Sequence, residues 1–341
     1  MRSALLLTGV AVAVLCTSGF VPSAHLDAKK SFPLMGTIQR DDPLFDKLVP
    51  PGATIEKLAD GFDWAEGPVW IREEGCLLFS DIPKNSIFKW KEGQGISLYL
   101  KPSGYSGTKP RGGEPGSNAL LRDAAGNLIL CEHGDRRVSR LEKDKSHTTL
   151  AGSYQGKRLN SPNDAVYKSN GDLYFTDPPY GLEKNWDDPA RELDFCGVYR
   201  VTPTGEITLL TKDMSRPNGL AFSPDEKTLY VANSDPAKPV WMAFDVQPDG
   251  TIANGRVFFD STPWIKKKGL PDGMKVDEHG NLFATGPGGV HVFTPQGKHL
   301  GSIDPGVATA NCGWGDDGST LYMTADKNLC RIKLTTKGKG F

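Results

Sequence analysis

The chain has 341 residues, a length that all-β barrels and propellers commonly reach as a single domain. Its 40 basic and 41 acidic residues leave a net charge of −1, which argues against a nucleic-acid-binding protein with a basic surface. The 39 glycines and 25 prolines are many for a helical protein and suit a fold with numerous tight turns.

The first 24 residues have the pattern of a secretory signal peptide. A short basic start is followed by an apolar run from Ala4 to Cys16 and by a small-residue cleavage site that ends at Ala24. The run is short for a helix that spans a bilayer. We therefore expect an exported protein, periplasmic or extracellular, whose mature form has no transmembrane domain. Cys16 leaves an uncleaved or lipid-anchored form open, although Leu15 is a poor match to the small residue that precedes a lipidated cysteine.

The mature chain keeps an odd number of cysteines, so they cannot all pair with one another. None of them stands in a Cys-x-x-Cys unit, and the sequence therefore indicates neither a zinc site nor a redox motif. We expect most of them to be buried thiols, with one bridge between adjacent strands left open. The cysteines are Cys76, Cys131, Cys196, Cys312 and Cys330.

Residues 31–52 are proline-rich and weakly periodic, so we assign residues 25–52 to an N-terminal extension that lies against the domain. The domain itself is expected to cover residues 53–341. Residues 53–59 have strand character and precede the first of several repeats. We expect this strand to pair with the last repeat, which would protect a sheet edge that could otherwise aggregate.

The domain is built from a short sequence motif that recurs about every 50 residues, a period typical of β-propeller blades. Each copy places Glu, Asp or Asn at the start of a short strand, which is followed by a polar turn and a second strand. Six copies predict an all-β fold, a six-bladed β-propeller. The residues that open the copies are Glu66, Asn118, Asn163, Asn218, Asp272 and Asn311.

These six opening residues are expected to meet near one end of the central channel, because the first strand of each blade lines it. Two carboxylates and several amide oxygens would form an oxygen-only cage, which suits Ca²⁺. The charges of Glu66 and Asp272 match a divalent ion and would repel each other without one. The chain has no His cluster for a zinc site. Taken singly, each opening residue could be an ordinary turn residue, and only the repeat favours a shared site.

Four copies of the motif resemble the signatures of the gluconolactonase family, which includes the senescence-marker protein regucalcin. The resemblance covers about residues 42–334, and it is strongest to exported bacterial gluconolactonases through residues 131–134 and 176–182. The four copies are Glu66-Gly67-Pro68-Val69-Trp70, Ser161-Pro162-Asn163-Asp164, Arg216-Pro217-Asn218-Gly219-Leu220 and Pro271-Asp272-Gly273-Met274.

The resemblance implies a six-bladed propeller that uses one catalytic divalent metal to hydrolyse sugar lactones. Ca²⁺ is the first expectation, with Zn²⁺, Mn²⁺ and Mg²⁺ as alternatives. By the same resemblance, Glu66, Asn218 and Asp272 match the metal ligands, and Asp272 also matches the general base. Asn163 matches the residue that faces both metal and substrate, and we include it among the predicted metal ligands. Ser161 stands where animal members have an Arg that contacts substrate, so the preferred lactone stays open.

Four further residues are candidates for the wall of the substrate pocket. We assign Asn118, His133, Arg158 and Tyr180 to substrate binding together with Asn163. The alternative for His133 is a hydrogen-bonded turn residue, for Tyr180 loop packing, and for Arg158 a solvated or structural role.

The predicted reaction is the opening of a lactone by water. The metal would polarise the carbonyl group, and Asp272, or water held between Asp272 and the metal, would supply the attacking hydroxide. The chain lacks the Gly-x-Ser-x-Gly elbow of serine hydrolases, a P-loop and a dinucleotide fingerprint. Two alternatives are a metal-dependent hydrolase of another lactone, an aryl ester or a phosphotriester, and a non-catalytic propeller that binds sugar or Ca²⁺. We expect a monomer whose partner is a small-molecule lactone.

Overall fold

Six antiparallel sheets form a ring in the computed structural model, which describes Met1 and residues 31–341. This arrangement confirms the predicted all-β, six-bladed propeller. The predicted cleavage site near Ala24 and Cys16 lie outside the described residues. In the part of the chain that is described, no helix is both long and apolar enough to cross a membrane.

The N-terminal part of the described chain contributes two strands and one short helix to the ring. Phe45 of the helix is fully buried in the hydrophobic core between the fifth and sixth blades. The elements are β1 (Thr37–Arg40), α1 (Phe45–Leu48) and β2 (Glu56–Asp60).

Blades one to three follow in chain order, and each is a four-stranded meander. A two-stranded hairpin, β11 and β12, lies between the second and third blades, and a 3-10 turn over Asn185–Asp187 lies within the third. The strands are β3 (Ala65–Ile71), β4 (Cys76–Asp81), β5 (Ser86–Lys91), β6 (Gly95–Leu100), β7 (Ser117–Arg122), β8 (Leu128–Glu132), β9 (Arg137–Leu141), β10 (His147–Ala151), β11 (Ser153–Tyr154), β12 (Lys157–Arg158), β13 (Ala165–Tyr167), β14 (Leu173–Asp177), β15 (Gly197–Val201) and β16 (Ile207–Thr211).

Blades four to six complete the ring, and a second 3-10 turn over Thr262–Trp264 follows the fourth blade. The last blade takes only three strands from this part of the chain. The strands are β17 (Pro217–Phe222), β18 (Thr228–Asp235), β19 (Lys238–Val246), β20 (Ile252–Asp260), β21 (Met274–Val276), β22 (Leu282–Gly286), β23 (Gly289–Phe293), β24 (His299–Asp304), β25 (Asn311–Gly315), β26 (Thr320–Ala325) and β27 (Asn328–Lys333).

The N-terminal strand β2 closes the ring as the outermost strand of the sixth blade. It pairs antiparallel with β27, and Glu56 lies opposite Arg331. The predicted pairing of residues 53–59 with the last repeat is therefore confirmed. Strand β1 pairs with β24 and adds a fifth strand to the fifth blade. Residues 37–40, which the sequence assigned to an extension, thus form part of the fifth blade.

The cores lie between neighbouring blades, because each sheet packs against the next around the ring. The second strand of a blade is buried on both faces, as in β4, β8, β14, β22 and β26. This burial explains why such strands are short, nearly continuous apolar runs rather than alternating ones. All five described cysteines are buried and free, so the bridge that the sequence left open is not formed.

The first strands of the blades line the channel, and each contacts the first strand of the next blade. Three of them carry a register shift at the opening residue, between Glu66 and Val69, Ser117 and Leu120, and Pro217 and Leu220. A β-bulge turns a side chain out of the regular alternation. These bulges therefore aim the opening residues into the channel while the rest of each strand stays in register.

A glycine after the opening residue lets neighbouring first strands approach closely. A Cβ atom on Gly67 would overlap the backbone carbonyl of Asn118, and one on Gly219 would overlap the backbone carbonyl of Asp272. Gly67 also has a positive φ of 53°, which an L side chain adopts at a penalty. The sequence pattern of opener plus glycine thus reflects the packing of one blade against the next.

Candidate active site

A cavity of about 340 Å³ lies at the end of the channel where the opening residues meet. Trp64, Tyr180, Leu270 and Thr309 form other parts of its wall. Five of the six opening residues line it, namely Glu66, Asn118, Asn163, Asn218 and Asp272. The structure therefore brings together all four predicted metal ligands and the predicted base.

The sixth opening residue, Asn311, supports the cavity from behind. Its Nδ2 atom donates to Glu66 Oε2 at 3.1 Å and to Asp164 Oδ2 at 3.3 Å. Asp164 is buried directly after Asn163, so a third carboxylate lies close to the first two. The sequence motif that contains Asn163 and Asp164 was recognised, but a role was predicted only for Asn163.

Burial dominates the electrostatics of the carboxylates. It raises the pKa of Glu66 above its ordinary value, and the negative charge of Asp164 raises it further, whereas hydrogen bonds from Gly67 and Asn311 act in the opposite direction. Burial also raises the pKa of Asp272, and the charges of Glu66, Asp164 and then Glu114 add to the effect. Acidic groups that are buried close to one another are the arrangement that a bound cation would stabilise.

Two of the amide side chains, those of Asn118 and Asn218, turn their nitrogen atoms toward the protein. Asn218 Nδ2 donates to Ser234 Oγ at 3.0 Å, and this hydroxyl group donates to the carbonyl of Pro271. Asn118 Nδ2 lies 3.3 Å from His133 Nε2. The carbonyl oxygens are thus left for the cavity, and Asn118 Oδ1 has no hydrogen-bond partner within residues 31–341.

The donor set fits a hard divalent cation. Asp272 Oδ1 is buried and has no hydrogen-bond partner among the described residues, although a carboxylate oxygen in such a place needs one. Carboxylate and amide oxygens are the ligands that Ca²⁺ and Mg²⁺ prefer. Residues 31–341 contain no group of three or more His, Cys, Asp or Glu side chains arranged to hold a metal, so a cation here would depend on the Asn oxygens as well.

Two residues that the sequence assigned to substrate binding do not line the cavity. His133 is fully buried behind Asn118 and reaches the cavity only through it. Arg158 lies on the exposed hairpin of β11 and β12, where its Nη2 atom donates to the carbonyl of Asp135 at 3.1 Å. The hairpin carries Arg158 away from the channel before the chain returns to it at Asn163. Of the assigned residues, Asn118, Asn163 and Tyr180 do line the cavity.

Sequence reasoning missed Glu114, Trp64 and Ser234, which also line the cavity. Glu114 and Trp64 come from segments before the first strands, where no periodic pattern marks them. Ser234 could have been found, because several blades have a pair of polar residues at the point where the second strand ends. The pairs are Ser80-Asp81, Glu132-His133, Thr176-Asp177 and Ser234-Asp235.

A larger cavity of about 920 Å³ opens at the other end of the first strands. It contains none of the opening residues. Two of its three lysines, Lys168 and Lys339, are paired with Glu226 at 3.2 and 3.4 Å, and the third, Lys275, donates to the carbonyl of Met274 at 3.0 Å. The polar groups at that end are therefore largely satisfied by one another, and the smaller cavity is the candidate active site.

Fold and cavity together define a six-bladed propeller with an oxygen-donor site at one end of its channel. The sequence profile of the family described as "SMP-30/Gluconolactonase/LRE-like region" matches residues 64–327. The chain therefore belongs to the SMP-30/gluconolactonase/LRE-like family, which confirms the resemblance that its motifs indicated.

Individual relatives agree with this assignment. A gluconolactonase of Zymomonas mobilis is 39% identical over 316 residues, which cover 89% of this chain and 88% of the relative. Regucalcin of Xenopus laevis is 25% identical over 278 residues, or 79% of this chain and 85% of the relative. A solved structure of a gluconolactonase from Xanthomonas campestris superposes with a TM-score of 0.77 at 32% identity and covers 89% of this chain and 97% of its own.

Proposed function

We propose that this protein is a metal-dependent hydrolase that opens a sugar lactone to the corresponding hydroxy acid. Lactone hydrolysis is the activity that the names of its gluconolactonase relatives carry. The observation that carries the proposal is the convergence of Glu66 and Asp272 with the side chains of three asparagines in one cavity. A cavity of about 340 Å³ is at the small end of the range for ligand pockets and suits a single sugar ring.

Glu66, Asn163, Asn218 and Asp272 would hold the cation, with Ca²⁺ as the first choice and Zn²⁺, Mn²⁺ or Mg²⁺ as alternatives. When bound, the cation would polarise the lactone carbonyl and stabilise the negative charge that develops on its oxygen. The crowding of buried carboxylates supports metal binding, because the protein supplies no positive group of its own within the lining of the cavity.

Asp272 is the group that we assign as the general base. Its Oδ1 atom finds no partner within the described part of the chain, so it can accept a proton from the attacking water. The water oxygen then bonds to the carbonyl carbon, and the bond from that carbon to the ring oxygen breaks. The ring oxygen takes up the proton that Asp272 had removed from the water and leaves as a hydroxyl group, which gives the open hydroxy acid and restores the Asp272 carboxylate.

The remaining wall of the cavity selects the shape of the substrate. Trp64, Leu270 and Tyr180 give it an apolar side, while Asn118 and Asn163 give it a polar side. Such a two-sided wall suits a sugar ring, which has an apolar face and hydroxyl groups at its edge. It also leaves room for another lactone or an aryl ester, which is the alternative that the substrate panel below addresses.

A chelation experiment tests the proposal. Purified protein is stripped with a chelator, its metal content is measured, and the opening of glucono-1,5-lactone is followed above the spontaneous rate at the same pH. We expect activity to disappear on stripping and to return with Ca²⁺ or one of the alternative ions. The exposed variant Arg158→Ala is the control and should behave like the wild type. Full activity in protein shown to be free of metal would contradict the proposal.

A panel of aldonolactones, unsubstituted lactones, aryl esters and a phosphotriester separates the proposed reaction from its alternatives. The proposal predicts the highest kcat/KM for an aldonolactone. A preference for an aryl ester or a phosphotriester would assign the site to another hydrolase, and binding of sugar without turnover would assign it to a non-catalytic propeller.

We also propose that the protein is exported and acts as a monomer. The pattern of the first 24 residues supports export, and the ring supports a monomer because β2 closes it by pairing with β27 of the same chain. N-terminal sequencing of the secreted or periplasmic protein should place cleavage near Ala24. Light scattering should give the mass of one chain, and a mass of two chains would contradict the monomer.

A further inference from the structure

The buried histidine His133 lies between two residues of the cavity wall. On one side its Nε2 atom is 3.3 Å from Asn118 Nδ2. On the other side its Nδ1 atom is 3.5 Å from Glu114 Oε2 and has no well-formed hydrogen bond among the described residues. The side chain of His133 is fully buried, whereas that of Glu114 is about one-third exposed toward the cavity. The mechanism derived above gives none of these contacts a role.

The contacts decide which ring nitrogen carries the proton. The Nδ2 atom of an asparagine can only donate, so Nε2 of His133 has to accept and the ring proton resides on Nδ1. That N–H then points toward the Glu114 carboxylate, which attracts it. The opposite arrangement would place the Nδ1 lone pair against a negatively charged carboxylate. Glu114 therefore favours the Nδ1–H tautomer, and this tautomer in turn fixes the amide of Asn118.

The backbone holds the three residues in this relation. His133 N donates to the carbonyl of Gly116 at 3.1 Å, and Gly134 N donates to the carbonyl of Pro115 at 3.1 Å. These bonds tie the end of β8 to the loop that carries Glu114. A Cβ atom on Gly181 would overlap Cβ of His133, so the loop at Gly181 closes over the histidine. The imidazole ring is thereby packed in place with little room to rotate.

We propose that Glu114 and His133 are positioning residues that hold the amide of Asn118 with its carbonyl oxygen, and not its NH₂ group, toward the substrate. Asn118 Oδ1 is buried, unpartnered within residues 31–341 and part of the cavity wall, so it accepts a hydrogen bond from a hydroxyl group of the substrate. The site consequently selects hydroxylated lactones over lactones that lack this hydroxyl group. The choice of substrate rests on the proposed function, whereas the orientation of the amide does not.

The selection arises because a buried acceptor is left without a partner when the hydroxyl group is missing. Sites built to hydrogen-bond a substrate hydroxyl discriminate strongly against analogues without it. If the amide turned over, its NH₂ group would face the hydroxyl group, and the site would lose the acceptor while keeping nearly the same shape. The tautomer of His133 thus determines whether Asn118 presents a hydrogen-bond acceptor or a donor to the cavity.

The first experiment observes the tautomer in the wild-type protein and needs no substrate. Nitrogen NMR of protein with labelled histidines distinguishes Nδ1–H, Nε2–H and the doubly protonated ring, and the variant His133→Gln assigns the signal. We expect Nδ1–H at neutral pH, with the proton retained in Glu114→Gln, which keeps an acceptor, and redistributed in Glu114→Ala. An Nε2–H tautomer or an imidazolium ion in the wild type would overturn the proposal.

The second experiment compares variants on glucono-1,5-lactone and on δ-valerolactone, which has no ring hydroxyl groups. We expect His133→Phe to raise KM for gluconolactone about 10-fold or more, with little change for valerolactone and no change in bound metal. His133→Gln, whose side-chain oxygen can accept from Asn118 in place of Nε2, should recover most of the loss. In the background of Asn118→Ala, His133→Phe should add little, since both remove the same interaction.

The outcomes separate this proposal from the function on which it rests. Additive effects of Asn118→Ala and His133→Phe, or equal losses on both lactones, would show that His133 only supports packing, and the proposal would fall. If the wild type opens neither lactone, the proposed function fails. The orientation of the amide is then decided by the NMR experiment alone.

Discussion

Asn311 donates a hydrogen bond of 3.1 Å to Glu66, which joins the last blade to the neighbouring first blade. The same amide group also reaches Asp164 at 3.3 Å, so one neutral side chain lies between two buried carboxylates. Residues that orient metal ligands from behind often influence affinity nearly as much as the ligands. Asn311 is therefore expected to act on a cation without touching it.

Replacing Asn311 by alanine tests this role. The variant loses the amide group that orients Glu66 and lies between the carboxylates of Glu66 and Asp164. Since these two carboxylates then repel each other more strongly, we expect Ca²⁺ affinity to fall about 10- to 100-fold. Isothermal titration of stripped protein measures the change. Asn328→Ala, in an outer turn of the same blade, is the matched control. An unchanged affinity in the Asn311 variant would show that Glu66 is held by other contacts.

Replacing Asp272 by asparagine separates its two proposed roles. The side chain keeps one oxygen for the cation but can no longer take a proton from water, so kcat should fall about 100-fold or more. Metal content measured on the same preparation shows whether binding survives. The exposed variant Asp225→Asn should retain wild-type kcat. Persistence of full activity with metal bound would rule out Asp272 as the base.

Asp177, which is fully buried in the third blade, gives the fold a pH dependence. Burial raises its pKa to about 7, although the backbone N–H groups of Asn160 and Ser161 act in the opposite direction. A carboxyl group whose pKa rises on folding contributes its full stability below about pH 4 and loses it as the pH rises toward 7. The free energy of unfolding should therefore decrease over this range because of Asp177.

The variant Asp177→Asn removes this titration. Relative to the wild type, its free energy of unfolding should improve by roughly 2–4 kcal/mol between pH 4 and pH 8. Urea denaturation at several pH values measures the difference. Asp249→Asn is a control of opposite sign, because hydrogen bonds from Thr251 lower the pKa of that exposed carboxylate. A pH-independent difference for the Asp177 variant would contradict the assignment.

The close approach of the fourth and fifth blades predicts the effect of a single methyl group. In Gly219→Ala the new Cβ would overlap the backbone carbonyl of Asp272, so the two first strands have to separate. We expect a loss of about 1–3 kcal/mol in the free energy of unfolding together with weaker metal binding. Gly52→Ala is the matched control, because no atom lies within 4 Å of its added Cβ. Equal stability of the two variants would show that the strands are not closely packed.

The repeat made most of the fold and the centre of the site predictable. Glu66, Asn163, Asn218 and Asp272 occupy equivalent positions in successive copies, and a ring has to bring equivalent positions to its axis. The same reasoning predicted that residues 53–59 close the ring, and β2 covers Glu56–Asp60. In each case a local pattern was linked to the global geometry by symmetry alone.

The rest of the site depends on loops, where the repeat gives no guidance. Arg158 is five positions before Asn163 in sequence, yet the hairpin between the second and third blades carries it to the surface. Glu114 reaches the cavity only because backbone hydrogen bonds tie its loop to the segment after β8. His133 was assigned to substrate contact but lies one layer further out. Such placements follow from tertiary contacts that no periodicity encodes.

The pairing of β2 with β27 has a consequence for how the protein is made. Glu56 and Arg331 are 275 residues apart in sequence, so β2, one of the first blade strands to be synthesised, has to wait for β27, the last strand. Contacts this distant along the chain slow folding. Until β27 is synthesised, β2 remains an unpaired strand that neighbouring chains can pair with. A chain terminated before Asn328 would lack β27 and would therefore never close the ring.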